Sequence, residues 1–283
     1  MSMLGRFEKI FNLFIPPIVI KCFEFVKNYF AKPVLEYAPD GWETRLNSSR
    51  KKGWNVNSVV KNETAKWDAF CQNLQGPGPL GFSHEHADLS EISDVNFHNV
   101  HITYAYVIAL TAHRKNKISV LDWGGSLGHY YRIAKAVLPD MSIDYHVKEV
   151  PLMAEAGRQC NPEVHWYDDD RCLERGYDLV MLNGSILYLE DWAETLQQIA
   201  RSVKKYLFLF RLPVVQSCPS FISIERLYHS QMLHQQLNQA ELMAVVKKTG
   251  LILMREFVVG EPPFIKNASE QCEMRGWLLK KVT

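Results

Sequence analysis

Short apolar runs alternate with stretches of helical spacing from residue 117 to the C-terminus. A bounded apolar run predicts a buried strand, and apolar residues at every third or fourth position predict an amphipathic helix. The predicted strands are 118–123, 142–147, 164–167, 177–182 and 206–212, with a closing hairpin from 251–259 and 276–282. The predicted helices are 130–137, 152–160, 192–203 and 240–249. This alternation is typical of βαβ units, so we expect an α/β fold with a mainly parallel sheet.

The N-terminal part of the chain has a different pattern. Helical spacing is present in residues 58–75 and 96–113, and a loop rich in glycine and proline separates the two segments. We therefore expect residues 1–115 to form a mostly helical arm and cap over an acceptor site. Residues 116–283 are expected to form the α/β domain.

The first 30 residues are apolar, but their longest uncharged run covers only residues 10–20 and contains two prolines. A membrane-spanning helix needs about 20 apolar residues. Neither a spanning helix nor a signal peptide is predicted. Two interpretations stay open: an arm that packs on the main domain, or a peripheral membrane contact through residues 1–30 with its lysines near the lipid.

Composition narrows the class of protein. Of the 283 residues, 47% are hydrophobic and 22% are charged, as in a soluble domain with a core. The 32 basic and 31 acidic residues nearly cancel, which excludes broad electrostatic attraction to nucleic acid. The cysteines are scattered without a zinc-type spacing, so we predict reduced thiols and no metal site. We expect a cytoplasmic protein that could lie at the inner face of the membrane.

The most informative segment is the turn after the strand 118–123. It contains V-L-D-W-G-G-S-L-G from Val120 to Gly128, and Asp122 stands two residues before the first glycine. Glycines let the backbone approach a ligand closely, and the start of a helix offers free N–H groups. In open α/β sheets, nucleotide-like ligands bind at such a turn.

Acidic residues also follow the next two strands. Glu149 lies about 20 residues beyond the turn, where an acid can accept both ribose hydroxyls of an adenosine. Asp168 and Asp169 follow the third strand, where an acid could meet an adenine amino group. A nicotinamide dinucleotide would require G-x-G-x-x-G, and the spacing here is different.

The order D-x-G-x-(G/S)-x-G, with acids after strands two and three, resembles class I S-adenosylmethionine-dependent methyltransferases. The segments LDWGGSLGHYY, VKEVPLMAEAG, YDLVMLNGSILYLEDW and FRLPVV are similar to a group of methyltransferases of bacterial surface-polysaccharide gene clusters. That narrower likeness covers roughly residues 40–260. The resemblance implies a Rossmann-like, seven-stranded, mostly parallel sheet with an antiparallel C-terminal hairpin.

The resemblance also implies that S-adenosyl-L-methionine is the cofactor. The residues expected around it are Asp122, Gly124, Gly125, Ser126, Gly128, His129, Glu149, Val150, Asp168, Asp169, Asn183, Gly184 and Ser185. Ser126 replaces the usual middle glycine, and its hydroxyl could bind the methionine carboxylate.

The implied reaction is O-methylation of a sugar or another small acceptor linked to surface-polysaccharide synthesis. A hydroxyl acceptor usually needs a base, and histidine suits that role near neutral pH. His84 and His86, in the breaker-rich loop, are the catalytic candidates, although they could equally be solvent-exposed loop residues. Tyr188, Arg211 and Tyr228 are substrate candidates, with ordinary packing as the alternative for each. Arg211 is expected to end the fifth strand and to contact an acidic or phosphorylated acceptor.

Three rival functions stay open. The fold could carry a non-catalytic module that binds an adenosyl cofactor or a protein partner. It could be a nicotinamide-dependent oxidoreductase, which the turn spacing disfavours. It could also be a membrane-associated partner protein that uses the N-terminal arm. The sequence gives no prediction of oligomeric state.

Overall fold

A computed structural model describes residues 35–46, 51–80, 94–260, 262 and 264–282. The hypothesis of membrane contact through residues 1–30 therefore falls outside the described residues. Within those ranges, no helix combines the length and the apolar character needed to cross a membrane.

The described ranges contain both helices and strands. The helices are α1 (Asn57–Thr64), α2 (Trp67–Gln75), α3 (Val95–Ala112), α4 (His129–Val137), α5 (Pro151–Cys160), α6 (Trp192–Arg201) and α7 (Gln239–Lys248). The strands are β1 (Leu35–Tyr37), β2 (Lys51–Lys52), β3 (Lys117–Trp123), β4 (Ser142–Lys148), β5 (His165–Tyr167), β6 (Tyr177–Asn183), β7 (Val203–Val215), β8 (Phe221–Leu227), β9 (Ser230–Asn238), β10 (Leu251–Gly260), β11 (Ile265–Lys266) and β12 (Glu273–Lys281).

Seven strands form the main sheet in the order β5-β4-β3-β6-β7-β12-β10. The first five run parallel to one another. Strand β12 then pairs antiparallel with β7, and β10 pairs antiparallel with β12. The chain therefore has a Rossmann-like α/β fold, and the predicted parallel sheet with an antiparallel C-terminal hairpin is confirmed.

The sheet is buried because helices cover both faces. Successive residues of a strand point to opposite faces, and in β3 Val120 packs in one apolar cluster while Leu121 packs in the other. Helices α3, α4 and α5 contribute to the first cluster, and α6 and α7 to the second. Burial on both faces explains why these strands appear in the sequence as continuous apolar runs.

A smaller group of strands extends the sheet beyond β7 and was not predicted. Strand β9 pairs in parallel with the last two residues of β7, and β8 pairs antiparallel with β9. Strand β1 joins β8, β11 joins β1, and β2 joins β9. Several buried positions of this group hold polar residues: Gln236 is fully buried and donates to Ser223, whose hydroxyl donates to the carbonyl of His234. An apolar pattern could not identify such strands.

The prediction that Arg211 ends the fifth strand is wrong. Strand β7 continues to Val215, and Arg211 lies inside it at a bulge. Leu209 pairs with Trp277 and Leu212 pairs with Arg275, so two residues of β7 face one residue of β12. Arg211 has a φ of 51°, in the left-handed region. Bulges bend a strand and redirect a side chain, and this one is next to the end of β6.

Candidate functional site

The turn between β3 and α4 is held in a left-handed backbone at three positions. Gly124, Ser126 and Gly128 have φ values of 79°, 51° and 82°. A Cβ at Gly124 would lie 2.3 Å from the Cβ of Ser185, and one at Gly128 would lie 2.8 Å from Asn161. The two glycines are therefore required both by the backbone conformation and by close packing.

The side chain of Asp122 packs against this turn. Its side chain is fully buried, and its Oδ2 accepts a hydrogen bond from the Tyr145 hydroxyl over 3.1 Å. A Cβ at Gly125 would lie 2.6 Å from the Asp122 carboxyl carbon. Burial raises the pKa of Asp122 to about 7, with a smaller contribution from the charge of Glu149. Among the described residues, Oδ1 of Asp122 has no hydrogen-bond partner.

Glu149 contacts the turn directly, which brings two predicted cofactor residues together. Its Oε1 accepts the backbone N–H of Ser126 over 3.1 Å, and its Oε2 accepts the N–H of Val150 over 2.7 Å. Burial raises the pKa of Glu149, and these two amides partly offset that effect. The result is a fixed carboxylate at the end of β4, beside the glycine turn.

The end of β6 completes the other side of the turn. Gly184 has a φ of 72°, and its N–H donates to the carbonyl of Phe210. Ser185 donates its hydroxyl to the carbonyl of Trp123 over 2.5 Å. The amide nitrogen of Asn183 donates to Tyr130, whereas its Oδ1 has no partner within the part of the chain that the structure describes. Asn183–Ser185 therefore lie against the turn, as parallel neighbouring strands require.

Asp168 and Asp169 lie after β5. Asp168 is exposed, and Asp169 accepts the N–H of Arg171 at the start of the short 3₁₀ helix Asp170–Glu174. An ion pair of 2.7 Å with the same arginine lowers the pKa of Asp169. The adenine contact of these two acids stays a prediction, and the Asp169 carboxylate already has a protein partner.

His129, the first residue of α4, is buried under α2. Its ring lies edge-on to Trp67 and Phe70, with centroid distances of 5.1 and 4.8 Å. These contacts place α2 on the N-terminal end of α4. The contacts of His129 join the N-terminal region to the turn. A contact of His129 with the cofactor stays a prediction.

Glu63 of α1 belongs to the same site and was missed in the sequence. It is 3% exposed, and its Oε2 accepts a hydrogen bond from the Ser126 hydroxyl over 3.2 Å. Val59 and Glu63 are the buried residues of α1. The sequence contains one signal for this position: Glu63 lies one helical turn after Val59, on the apolar face of the helix.

Two of the predicted substrate residues come together around Trp54. The Trp54 ring lies 5.1 Å from Tyr188 and 6.3 Å from Tyr228. The Tyr188 hydroxyl donates to the buried carboxylate of Glu225 over 2.6 Å, and the Lys66 ammonium lies 5.8 Å from the Tyr228 ring. Tyr188 belongs to the 3₁₀ helix that directly follows Gly184, so this aromatic group adjoins the end of β6.

Arg211 points elsewhere, to the beginning of α3. Its guanidinium lies 5.3 Å from the Phe97 ring. Nearby, the backbone N–H of Leu80 donates to His98, and the carbonyl of Leu80 lies 2.6 Å from Nδ1 of His101. Burial lowers the pKa of His101 to about 4, so its ring is neutral at neutral pH. Arg211 thus packs on the beginning of α3, whereas Tyr188 and Tyr228 pack on Trp54.

His84 and His86 fall outside the described residues. The flanking residue Leu80 contacts α3, and Asp94 caps the same helix by accepting the N–H groups of Asn96 and Phe97. The proposed base in this loop stays a prediction.

Comparisons with known proteins found structures of similar shape only. No protein-family model and no curated protein matches the chain. The magnesium protoporphyrin IX methyltransferase ChlM of Synechocystis PCC 6803, solved with bound SAM, is 14% identical, with a TM-score of 0.46 over 80% of this chain and 100% of that one. An O-methyltransferase family protein of Burkholderia thailandensis is 14% identical, with a TM-score of 0.44 over 88% and 80%.

A third similar structure is a 1,6-didemethyltoxoflavin-N1-methyltransferase of B. thailandensis, solved with S-adenosylhomocysteine. It is 12% identical, with a TM-score of 0.46 over 84% of this chain and 98% of that one. At such identities and TM-scores, these structures say nothing about the activity of this chain.

Proposed function

We propose that this protein is an S-adenosylmethionine-dependent methyltransferase that binds its cofactor at the turn between β3 and α4. The observation that carries the proposal is the contact of Glu149 with the Ser126 amide. This contact places Glu149, an acid that can accept hydrogen bonds from ribose hydroxyls, next to a glycine turn at the start of a helix. The likeness of D-x-G-x-S-x-G to the methyltransferase motif supports the same ligand.

The charges around the turn favour a cationic ligand. Glu149 and Glu63 place two carboxyl groups there, and Asp122, whose pKa is about 7, is partly ionised at neutral pH. A sulfonium and an ammonium are attracted to such groups, whereas the pyrophosphate of a nicotinamide dinucleotide is repelled. The unpartnered acceptor atoms of Asp122 and Asn183, within the described residues, fit a ligand that brings donors or positive charge.

Each residue then has a defined task. Bound at this turn, the cofactor supplies an electrophilic methyl group. Glu149 would hold the ribose hydroxyls, and the positive end of the α4 dipole would attract the methionine carboxylate. Glu63, which accepts a hydrogen bond from Ser126 inside the turn, would attract the methionine ammonium. Much of the acceleration can come from holding donor and acceptor in line.

The acceptor site is proposed beside the end of β6, within the aromatic group of Trp54, Tyr188 and Tyr228. Aromatic rings suit the apolar faces of a sugar, and the buried Glu225 can orient a hydroxyl through Tyr188. We propose a sugar hydroxyl of a surface-polysaccharide precursor, or another small acceptor, as the methylated group. His84 or His86 would take the hydroxyl proton.

Methyl transfer is tested directly with labelled cofactor. The full-length protein is incubated with methyl-labelled S-adenosylmethionine and a series of nucleotide sugars, and products are identified by mass and label. We expect label in one acceptor class with the native protein and, at a cofactor concentration below its dissociation constant, much less label with Glu149→Gln. Equal labelling by the two proteins would contradict the proposed site.

A second candidate function is a non-catalytic cofactor-binding or partner-binding module. Ser126 favours it specifically, because its side chain stands where a glycine is usual and is bonded to Glu63. This function predicts binding of S-adenosylmethionine without turnover on any acceptor. A labelled product would exclude it.

We further propose a cytoplasmic location, at the inner face of the membrane if residues 1–30 bind lipid. Co-sedimentation with anionic liposomes tests this contact by comparing the full chain with one that lacks those residues. Loss of binding in the shortened chain is the expected result. Equal sedimentation of both proteins would show that residues 1–30 do not anchor the chain.

A further inference from the structure

Asp144, His146 and His165 form a cluster at the outer edge of the main sheet. Asp144 and His146 are two residues apart on β4, so their side chains share a face, and His165 on β5 pairs in register with His146. Their ligand-type atoms all lie within 4.8 Å of one another. Within the described ranges, no other group of three histidine, cysteine or carboxylate side chains meets this spacing.

The separations within this cluster are those of metal ligands. Oδ1 of Asp144 lies 2.9 Å from Nε2 of His146 and 3.5 Å from Nε2 of His165. Two ligands bound to one tetrahedral zinc ion at about 2.0–2.1 Å lie about 3.3 Å apart. The two imidazole rings stack with centroids 4.6 Å apart. Rotation of the exposed His165 ring out of this stack would direct its Nε2 at the same ion as Oδ1 of Asp144 and Nε2 of His146.

The atoms of Asp144 and His146 that face away from the cluster have partners of their own. Arg175 donates to Oδ2 of Asp144 over 2.8 Å, which leaves Oδ1 directed at the imidazoles. Nδ1 of His146 lies 3.2 Å from the Tyr167 hydroxyl. Metal-binding carboxylates and histidines are usually oriented in this way by hydrogen bonds at their second atom.

The contact with Tyr167 also allows Nε2 of His146 to bind a metal ion while the imidazole ring keeps its one proton on Nδ1. In the metal-free ring, Nε2–H donates to Asp144 and Nδ1 accepts the hydroxyl hydrogen. In the metal-bound ring, the proton sits on Nδ1 and is donated to the hydroxyl oxygen. A hydroxyl can serve both arrangements because it is both donor and acceptor.

We propose that Asp144, His146 and His165 bind a divalent transition-metal ion of the zinc class. The His146 side chain is 1% exposed and fixes the inner position, whereas that of His165 is 60% exposed and opens to solvent. Three protein ligands leave a fourth position for water. The site is built on β4 and β5 and does not depend on methyl transfer.

Zinc titration of the chelator-treated, full-length protein tests this proposal. We expect one zinc ion per chain with micromolar affinity, and Co²⁺ should give the visible absorption of a four-coordinate site. His165→Ala removes one ligand at an exposed position, so the fold should persist by circular dichroism. Its zinc dissociation constant should rise by at least about tenfold. The exposed His113→Ala is the matched control and should bind as the native protein does.

Three results would overturn the proposal. One is an absence of zinc binding by the native protein at neutral pH. Another is equal affinity in His165→Ala and the native protein. The third is loss of the zinc ion in a His84→Ala/His86→Ala variant, which would assign binding to the loop histidines. Because S-adenosylmethionine takes no part in these titrations, failure of the methyltransferase proposal would be seen separately.

Discussion

The Ser126 hydroxyl donates a hydrogen bond to the Glu63 carboxylate over 3.2 Å, and this contact joins the glycine turn to helix α1. The same serine donates its backbone N–H to Glu149. Ser126 thus bridges two carboxylates, one from α1 and one from the end of β4. It does so with a φ of 51°, which costs a non-glycine residue roughly 1–2 kcal/mol. The serine provides the hydrogen bond to Glu63, which a glycine at position 126 could not make.

Two substitutions of Ser126 separate the effect of backbone strain on stability from the effect of the hydroxyl hydrogen bond. Ser126→Ala keeps the strained backbone and loses the hydroxyl, whereas Ser126→Gly loses both. We expect Ser126→Gly to be more stable than Ser126→Ala by about 1 kcal/mol in denaturant unfolding. Both variants should show faster hydrogen exchange in α1, because Glu63 loses its partner in the turn. Unchanged exchange in α1 would contradict the bridging role.

Glu63→Gln tests the proposed contact with the methionine ammonium. Glutamine can still accept the Ser126 hydrogen bond, but it carries no charge. We expect the dissociation constant of S-adenosylhomocysteine to rise about tenfold, or roughly 1.4 kcal/mol. Binding of 5′-methylthioadenosine, which lacks the amino-acid half, should be unchanged. The exposed Glu155→Gln is the control, and an equal effect on both ligands would refute the assignment.

The pH dependence of stability should reveal the buried Asp122. Its pKa is about 7 in the folded protein, against about 4 in an unfolded chain. Between these values the folded protein holds a proton that the unfolded chain has lost, so rising pH destabilises the fold up to about pH 7. Asp122→Asn keeps an acceptor for Tyr145 and cannot ionise.

The melting temperature of Asp122→Asn, relative to the native protein, should therefore increase between about pH 4 and pH 7 and stay constant above. Thermal melts at several pH values measure this difference. The exposed Asp140→Asn provides the comparison and should follow the native curve. A constant offset between Asp122→Asn and the native protein would show that Asp122 is already ionised at low pH.

Gly125→Ala should disturb the turn through packing alone. The new Cβ would lie 2.6 Å from the carboxyl group of Asp122 and 3.0 Å from Val147, both held by strands. We expect a loss of about 1–3 kcal/mol in the free energy of unfolding. Gly78→Ala, whose nearest contact is 3.8 Å, should change it by less than about 0.5 kcal/mol. Similar losses in both variants would contradict the close approach at Gly125.

The main sheet could be predicted because its strands are buried on both faces. Residues of β3 and β6 are mostly buried, so the sequence shows largely apolar runs between turn residues. Strands β8 and β9 escaped prediction because their buried positions hold Gln236, His234 and Ser223, which satisfy one another by hydrogen bonds. Polar pairing of that kind has no apolar periodicity.

The site was predictable where its residues follow strands of the sheet. Asp122 and Glu149 end adjacent parallel strands, so their proximity follows from topology. The contact of Glu63 with Ser126 spans 63 positions of the chain and depends on how α1 packs, which no local pattern contains. The bulge at Arg211 escaped prediction for a similar reason, since it depends on the register between β7 and β12.

Calorimetric titration of the full-length protein tests the central proposal most directly. The ligands are S-adenosylmethionine and S-adenosylhomocysteine, with NADH as the control, and the proteins are the native chain and Glu149→Gln. We predict micromolar binding of both adenosyl ligands, worth about 8 kcal/mol, no binding of NADH, and affinity at least about tenfold weaker in Glu149→Gln. Binding of NADH, no binding of either adenosyl ligand, or equal affinity in Glu149→Gln would contradict the proposed site.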